Sequence, residues 1–169
     1  MTAARTTLLA AAGLALVATA CVNTDPAVFV EARITGPSAI VTASSVGGFG
    51  AKLDGALLLS LHLGARASGP SKVSLRAFSL TNADQTATLV ATLPIAFVDT
   101  SQHDPIDVEP DSTVPVPIAF STGKALLTAD EQAAVCNAGG LRIVGAIQDS
   151  LQSGATPLTS DVFLPTGCK

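Results

Sequence analysis

From residue 28 onward, apolar and polar positions alternate with a period of two along most of the chain. Val28, Val30, Ala32 and Ile34 alternate with Phe29, Glu31 and Arg33. This predicts a strand, because successive side chains of a strand point to opposite faces. After Gly36-Pro37, residues 39–44 predict a second strand, and Gly47-Gly48-Phe49-Gly50 a flexible loop. Leu57, Leu59, Leu61 and Leu63 form one face of the strongest strand, with Ala56, Leu58, Ser60 and His62 on the other. Past the Gly69-Pro70 turn, Val73, Leu75 and Ala77 are expected on one face and Arg76 and Phe78 on the opposite one. Asn82-Ala83-Asp84 predicts a hairpin turn, and residues 86–98 a strand interrupted at Pro94. Residues 99–113 read as a long acidic loop. Residues 114–120 read as a strand that Pro115 and Pro117 confine to a sheet edge, since proline gives a ladder no N–H. Residues 141–148 and 158–164 predict the last two strands.

One helix interrupts this series. Thr128-Ala129-Asp130-Glu131 has the capping-box spacing, in which the Thr oxygen takes an early N–H and the Glu reaches back. Asn137 and Gly139-Gly140 supply the stop, so a short helix is expected near 128–137. Seven to nine short strands with regular turn signals predict an all-β fold, an antiparallel β-sandwich over residues 27–169 as a single domain. In strand pattern it resembles immunoglobulin-like and fibronectin type III-like sandwiches. The chain has no Trp and no Tyr, so it lacks the buried strand Trp and the tyrosine corner of true immunoglobulin domains.

The N-terminus follows another rule. Arg5 precedes an apolar run from Leu8 to Val17, and Ala18-Thr19-Ala20 puts small residues before Cys21. Residues 1–20 therefore read as a secretory signal peptide. Residues 8–22 are too short to cross a hydrocarbon core of ~30 Å. The cysteine at the junction makes the segment resemble a bacterial lipoprotein signal, although Ala18 stands where that pattern has a branched residue. The resemblance implies cleavage before Cys21, acylation of Cys21 and a short tether over residues 21–26. It also implies a place in the cell envelope, with Val22 rather than Asp after the cysteine favouring the outer membrane. A plain export signal remains open, because Ala18-Thr19-Ala20 is also an A-x-A site, and would make the protein periplasmic or secreted.

Cysteine parity bears on the choice. The chain has three cysteines: Cys21, Cys136 and Cys168. Acylation of Cys21 leaves Cys136 and Cys168 as a pair for a disulfide, which an oxidising envelope favours, the alternative being two separate thiols. The bridge would contribute roughly 3–4 kcal/mol in the chain-entropy picture.

Removal of residues 1–20 from the 169-residue chain leaves 149, enough for one core. Hydrophobic residues make up 48% of the chain but aromatics only 4%, so the core must be built of Ala, Val and Leu. The net charge of −4 becomes −5 without Arg5, and basic residues are scattered, which excludes a nucleic-acid footprint. Attraction to anionic headgroups is likewise unsupported.

Candidate chemistry is sparse. Asp99, Asp104, Asp107, Glu109 and Asp111 crowd the acidic loop. Calcium takes six to eight oxygens, so Asp104, Asp107, Glu109 and Asp111 are a weak calcium candidate, against a solvated loop that protects an edge. Ser121-Thr122-Gly123-Lys124 fits S-x-x-K, which needs a Ser at a helix start, and Gly123 argues against a helix there. His62 and His103 are the only histidines, the second beside Asp104. His62 reads as an exposed strand residue. No nucleophile elbow, zinc motif or phosphate loop is present, so no cofactor is expected and no catalytic residue is assigned. Leu58 could line a lipid pocket or pack under a loop. The expectation is a non-catalytic envelope lipoprotein, acting as a structural or protein-interaction module. The partners are the membrane, through the anchor, and an envelope protein docked by strand addition. A carrier of small hydrophobic ligands and a small secreted hydrolase are the alternatives.

Overall fold

The computed structural model describes residues 25–43, 50–123 and 126–168. Residues 1–24, and with them Cys21, lie outside the described residues, as do Gly47, Gly48, Phe49 and Lys124. The described chain forms nine strands and one helix. They are β1 (Glu31–Ala43), β2 (Ala51–Leu63), β3 (Ser71–Asn82), β4 (Thr88–Val90), β5 (Ile95–Phe97), β6 (Ile106–Val108), β7 (Ser112–Ser121), α1 (Ala129–Asn137), β8 (Leu141–Asp149) and β9 (Ala155–Thr159). One sheet runs β1-β2-β7-β5 and the other β4-β3-β8-β9, with β6 also on β3. All strand pairings are antiparallel. This is the expected all-β sandwich.

The core lies between the sheets and uses the inward half of each alternation. Leu57, Leu59, Leu61 and Leu63 of β2 meet Val73, Leu75 and Leu80 of β3 and Ile143 and Ile147 of β8, all buried in one cluster. Each such side chain is worth ~1.5–3 kcal/mol relative to exposure, so this stripe is the main driving force for folding.

Several expectations change in the structure. The two strands expected on either side of Gly36-Pro37 are one, because a bulge between Thr35 and Ser38 absorbs both residues while β1 keeps its pairing with β2. The strand also starts at Glu31, leaving Val28 and Phe29 exposed ahead of it. In β3 a second bulge, between Arg76 and Ser79, puts Ala77 at φ 46° and exposes it. Phe78 is thereby turned into the core, the reverse of simple alternation. Its ring lies over Gly145 of β8, where a Cβ would sit 2.9 Å from Cδ1. Strain at a non-Gly residue in the left-handed region costs of order 1–3 kcal/mol. Burying a phenyl ring gains a similar amount, and here the ring is buried.

The expected acidic loop contains β6 and the start of β7, because Ile106 and Val108 bury against β3 while Asp107 faces out. Strand β7 is not a bare edge, since it pairs along its length with β2 and over three residues with β5. The prolines fit because the carbonyls of Pro115 and Pro117 face away from β2: Pro117 accepts from Val98 N–H at 3.0 Å and Pro115 from the Gln102 amide at 3.3 Å. Their missing N–H groups thus point to the flank where pairing is short. The last strand is β9, which ends at Thr159; Phe163 makes only an isolated bridge to Leu141.

The helix occupies Ala129–Asn137 with Thr128 as N-cap. Thr128 Oγ1 accepts the Glu131 N–H at 3.2 Å, and Glu131 Oε2 accepts the Thr128 N–H at 2.8 Å. The Thr128 N–H first, and its hydroxyl second, both donating to Oε2, hold the Glu131 carboxyl below its usual pKa.

Candidate functional site

The sandwich has two ends. At one, β2 finishes at Leu63, β3 starts at Ser71, β7 starts at Ser112 and β8 finishes at Asp149. This is also where the described chain begins, at Asp25. Asp149 is fully buried and acts as an acceptor hub. Its Oδ2 accepts the Val30 N–H at 2.8 Å, and its Oδ1 accepts the Leu151 N–H at 2.9 Å and the Ser71 hydroxyl. One carboxylate therefore joins the segment entering β1, the start of β3 and the β8–β9 turn. A buried carboxylate persists only where donors replace its water, and these three do so.

Beside it, His62 bridges the same segment to β7. Its Nε2 lies 2.6 Å from Asp25 Oδ2, and its Nδ1 lies 3.0 Å from Thr113 Oγ1 and 3.1 Å from the Ser112 carbonyl. Asp25 Oδ1 accepts the Ala27 N–H at 3.0 Å. That backbone bond first, and His62 second, hold the Asp25 carboxyl below its usual pKa. Gly64 permits the crossing: a Cβ there would stand 2.6 Å from the Ala27 carbonyl oxygen. His62, expected as a plain exposed residue, is thus half-buried and fully engaged.

Hydroxyl, imidazole and carboxylate are the three parts of a hydrolytic triad, and here they stand in one row. Nδ1 is shared between the Thr113 hydroxyl and the Ser112 carbonyl. The geometry is that of a fastening.

The remaining sequence candidates are dispersed. Asp107 pairs with Lys72 at 2.7 Å, which lowers its carboxyl pKa. Asp99 accepts from Ser101, and Asp111 adopts φ 58° in the β6–β7 turn. Asp104 precedes a cis proline, and Asp104 and Glu109 are exposed. Among the described residues no three His, Cys, Asp or Glu side chains gather as a metal site would need. Ser121 ends strand β7 and accepts from Gly123 N–H at 2.9 Å, so it heads no helix; its partner Lys124 lies outside the described residues. His103 is exposed. Leu58 stands on the outer face of β2 between Thr35 and Pro117, 40% exposed.

At the opposite end, Cys136 of α1 and Cys168 form a disulfide with Cα atoms 5.5 Å apart. The chain leading to it crosses both sheets. Leu141 and Phe163 exchange two backbone bonds on β8, and then Thr166 accepts from Val41 N–H and donates to the Ala39 carbonyl on β1. The expected pairing of Cys136 with Cys168 is present.

Compared with protein-family models, curated proteins and solved structures, the chain matches none. No motif in the sequence marks Asp25, in the segment ahead of β1, or Asp149, at the end of β8. Their partners lie 37 and 119 residues away. Among the described residues no helix is long and apolar enough to cross a membrane.

Proposed function

We propose that this chain is a non-catalytic cell-envelope lipoprotein, a compact β-sandwich tethered by an acylated Cys21 and serving as a structural or protein-interaction module. The supporting observation is how the domain is fastened four residues after that cysteine. Asp25 is held by His62, Ala27 is buried and Val30 is bonded to Asp149. A pull on Cys21 would be passed directly into the core of the sandwich. The Cys136–Cys168 bridge agrees with this reading, since it uses two of three cysteines and leaves Cys21 for the lipid. Two or more acyl chains give a stable anchor where a single chain is marginal.

In a bacterial host, the wild-type protein is expected in the membrane fraction, carrying labelled fatty acid. Cys21→Ser should lose the label and move to the soluble fraction. A Cys21→Ser protein that still sediments with membranes refutes the anchor.

A further inference from the structure

We infer that the corner of the sandwich beside the tether is a lipid-docking surface, with Val28 and Phe29 dipping into the interfacial layer of the bilayer. Val28 and Phe29 are adjacent apolar residues, 43% and 44% exposed, just ahead of β1. They line an open groove of about 460 Å³ with Pro26, Gln152 and Thr156. Neither ring nor isopropyl group contributes to the core, although the next residue, Val30, is 3% exposed. Large exposed apolar patches mark interaction sites, and a pair this small needs a second element to hold its partner in place.

Tether length selects that partner. This inference rests on the acylated Cys21 proposed above. Asp25 is pinned to His62, and four residues span at most ~14 Å from there to Cys21. Val28 and Phe29 therefore cannot move far from the lipid surface, and the short linker presents them at an effective concentration in the millimolar range. A patch too weak to bind alone is then occupied.

Charge sets the tilt. Asp104, Asp107, Glu109 and Asp111 lie with β6 and the β6–β7 turn, whereas Val28 and Phe29 lie with β1, alongside β9. In the sheet orders, β1 and β9 stand on one flank and β6 on the other. Both flanks belong to the tether end, since the β6–β7 turn leads into Ser112 and Thr113, which bond His62 beside Asp25, so docking by the β1–β9 flank tilts the domain and lifts the acidic flank off the surface. Glu31, exposed at the start of β1, limits the depth. An uncharged or zwitterionic surface is the lipid that fits.

The chain has no Trp, so a single introduced indole reports its surroundings alone. The full-length acylated protein is reconstituted into phosphatidylcholine vesicles with plain or brominated acyl chains, once as Phe29→Trp and once as Leu164→Trp. Leu164 is 69% exposed at the disulfide end. An indole at position 29 should show blue-shifted emission, and bromine should quench it about twofold, as for a ring ~5–10 Å into the headgroup boundary. The indole at position 164 should stay water-like and unquenched. A mature chain that carries acyl groups while position 29 remains unquenched, or is quenched no more than position 164, overturns the docking surface and leaves the anchor standing. A mature chain without acyl groups overturns both.

Discussion

The two ends of the sandwich solve one problem with different chemistry. Where strands run out, the edges of both sheets must be tied together. At the Asp149 end the tie is polar and non-covalent: a buried carboxylate with three donors, and a histidine between Asp25 and Thr113. At the disulfide end a strap crosses from β8 to β1 and is closed covalently onto α1. The polar tie depends on geometry and protonation, and the covalent one on redox state. The contrast suits a chain held at one end. The end that would bear the tether has its bonds spread over β1, β2, β3, β7 and β8, whereas the strap closes on a single S–S bond.

Breaking the hub should have the largest effect. Asp149→Ala strands the Val30 and Leu151 N–H groups and the Ser71 hydroxyl in a buried site, at about 5 kcal/mol, enough to unfold a marginal domain. Asp149→Asn keeps one oxygen and should lose about half as much. Urea denaturation of both variants checks this, and a loss below ~1 kcal/mol for Asp149→Ala would remove the hub's role.

Opening the strap comes next. Cys136→Ser with Cys168→Ser releases a loop whose ends are 32 residues apart and should cost roughly 3–4 kcal/mol. Hydrogen exchange should then quicken at Val41 and Phe163 while Val30 stays protected, because the two ties lie at opposite ends. Equal loss of protection at both ends would show that they act as one unit.

Removing the helix cap is smaller and local. Thr128→Ala should cost about 1 kcal/mol, seen as a modest fall in denaturation midpoint with the Cys136–Cys168 bridge intact.

The mildest test is pH. The Asp25 carboxyl titrates lower in the folded protein than in the unfolded chain, so its contribution is present above the unfolded value. That contribution is lost as pH falls through the folded one. Acidification should therefore lower the protection of the Ala27 N–H relative to intrinsic exchange before the strap residues respond, and Asp25→Asn should abolish that pH dependence of protection. Unchanged protection at Ala27 across the acid range would mean that the Asp25 carboxylate does not hold this segment.

Much of the fold was legible in the chain. The leucines of β2 and the capping box at Thr128 each follow from spacing alone, and the structure places both as expected; the turn expected at Gly69-Pro70 closes earlier, where the Ala67 N–H bonds the Gly64 carbonyl. The misreadings share a cause. Phe78 faces inward because a bulge opposite β8 shifts the phase, and β7 tolerates its prolines because β5 is short. Val28 reads like Val30 in the alternation, yet the strand starts only at Glu31. Each outcome depends on a neighbouring strand, and a local pattern carries no information about neighbours.

By itself the sequence determined the class of fold, the small-aliphatic core and the helix with its ends, because period, composition and capping are local properties. The tertiary structure decided which strands are neighbours, which way each bulge turns its side chains, and which carboxylates are fastened. Those depend on residues such as Val30 and Asp149, 119 positions apart, meeting in space. The energy of such a meeting belongs to the folded chain as a whole.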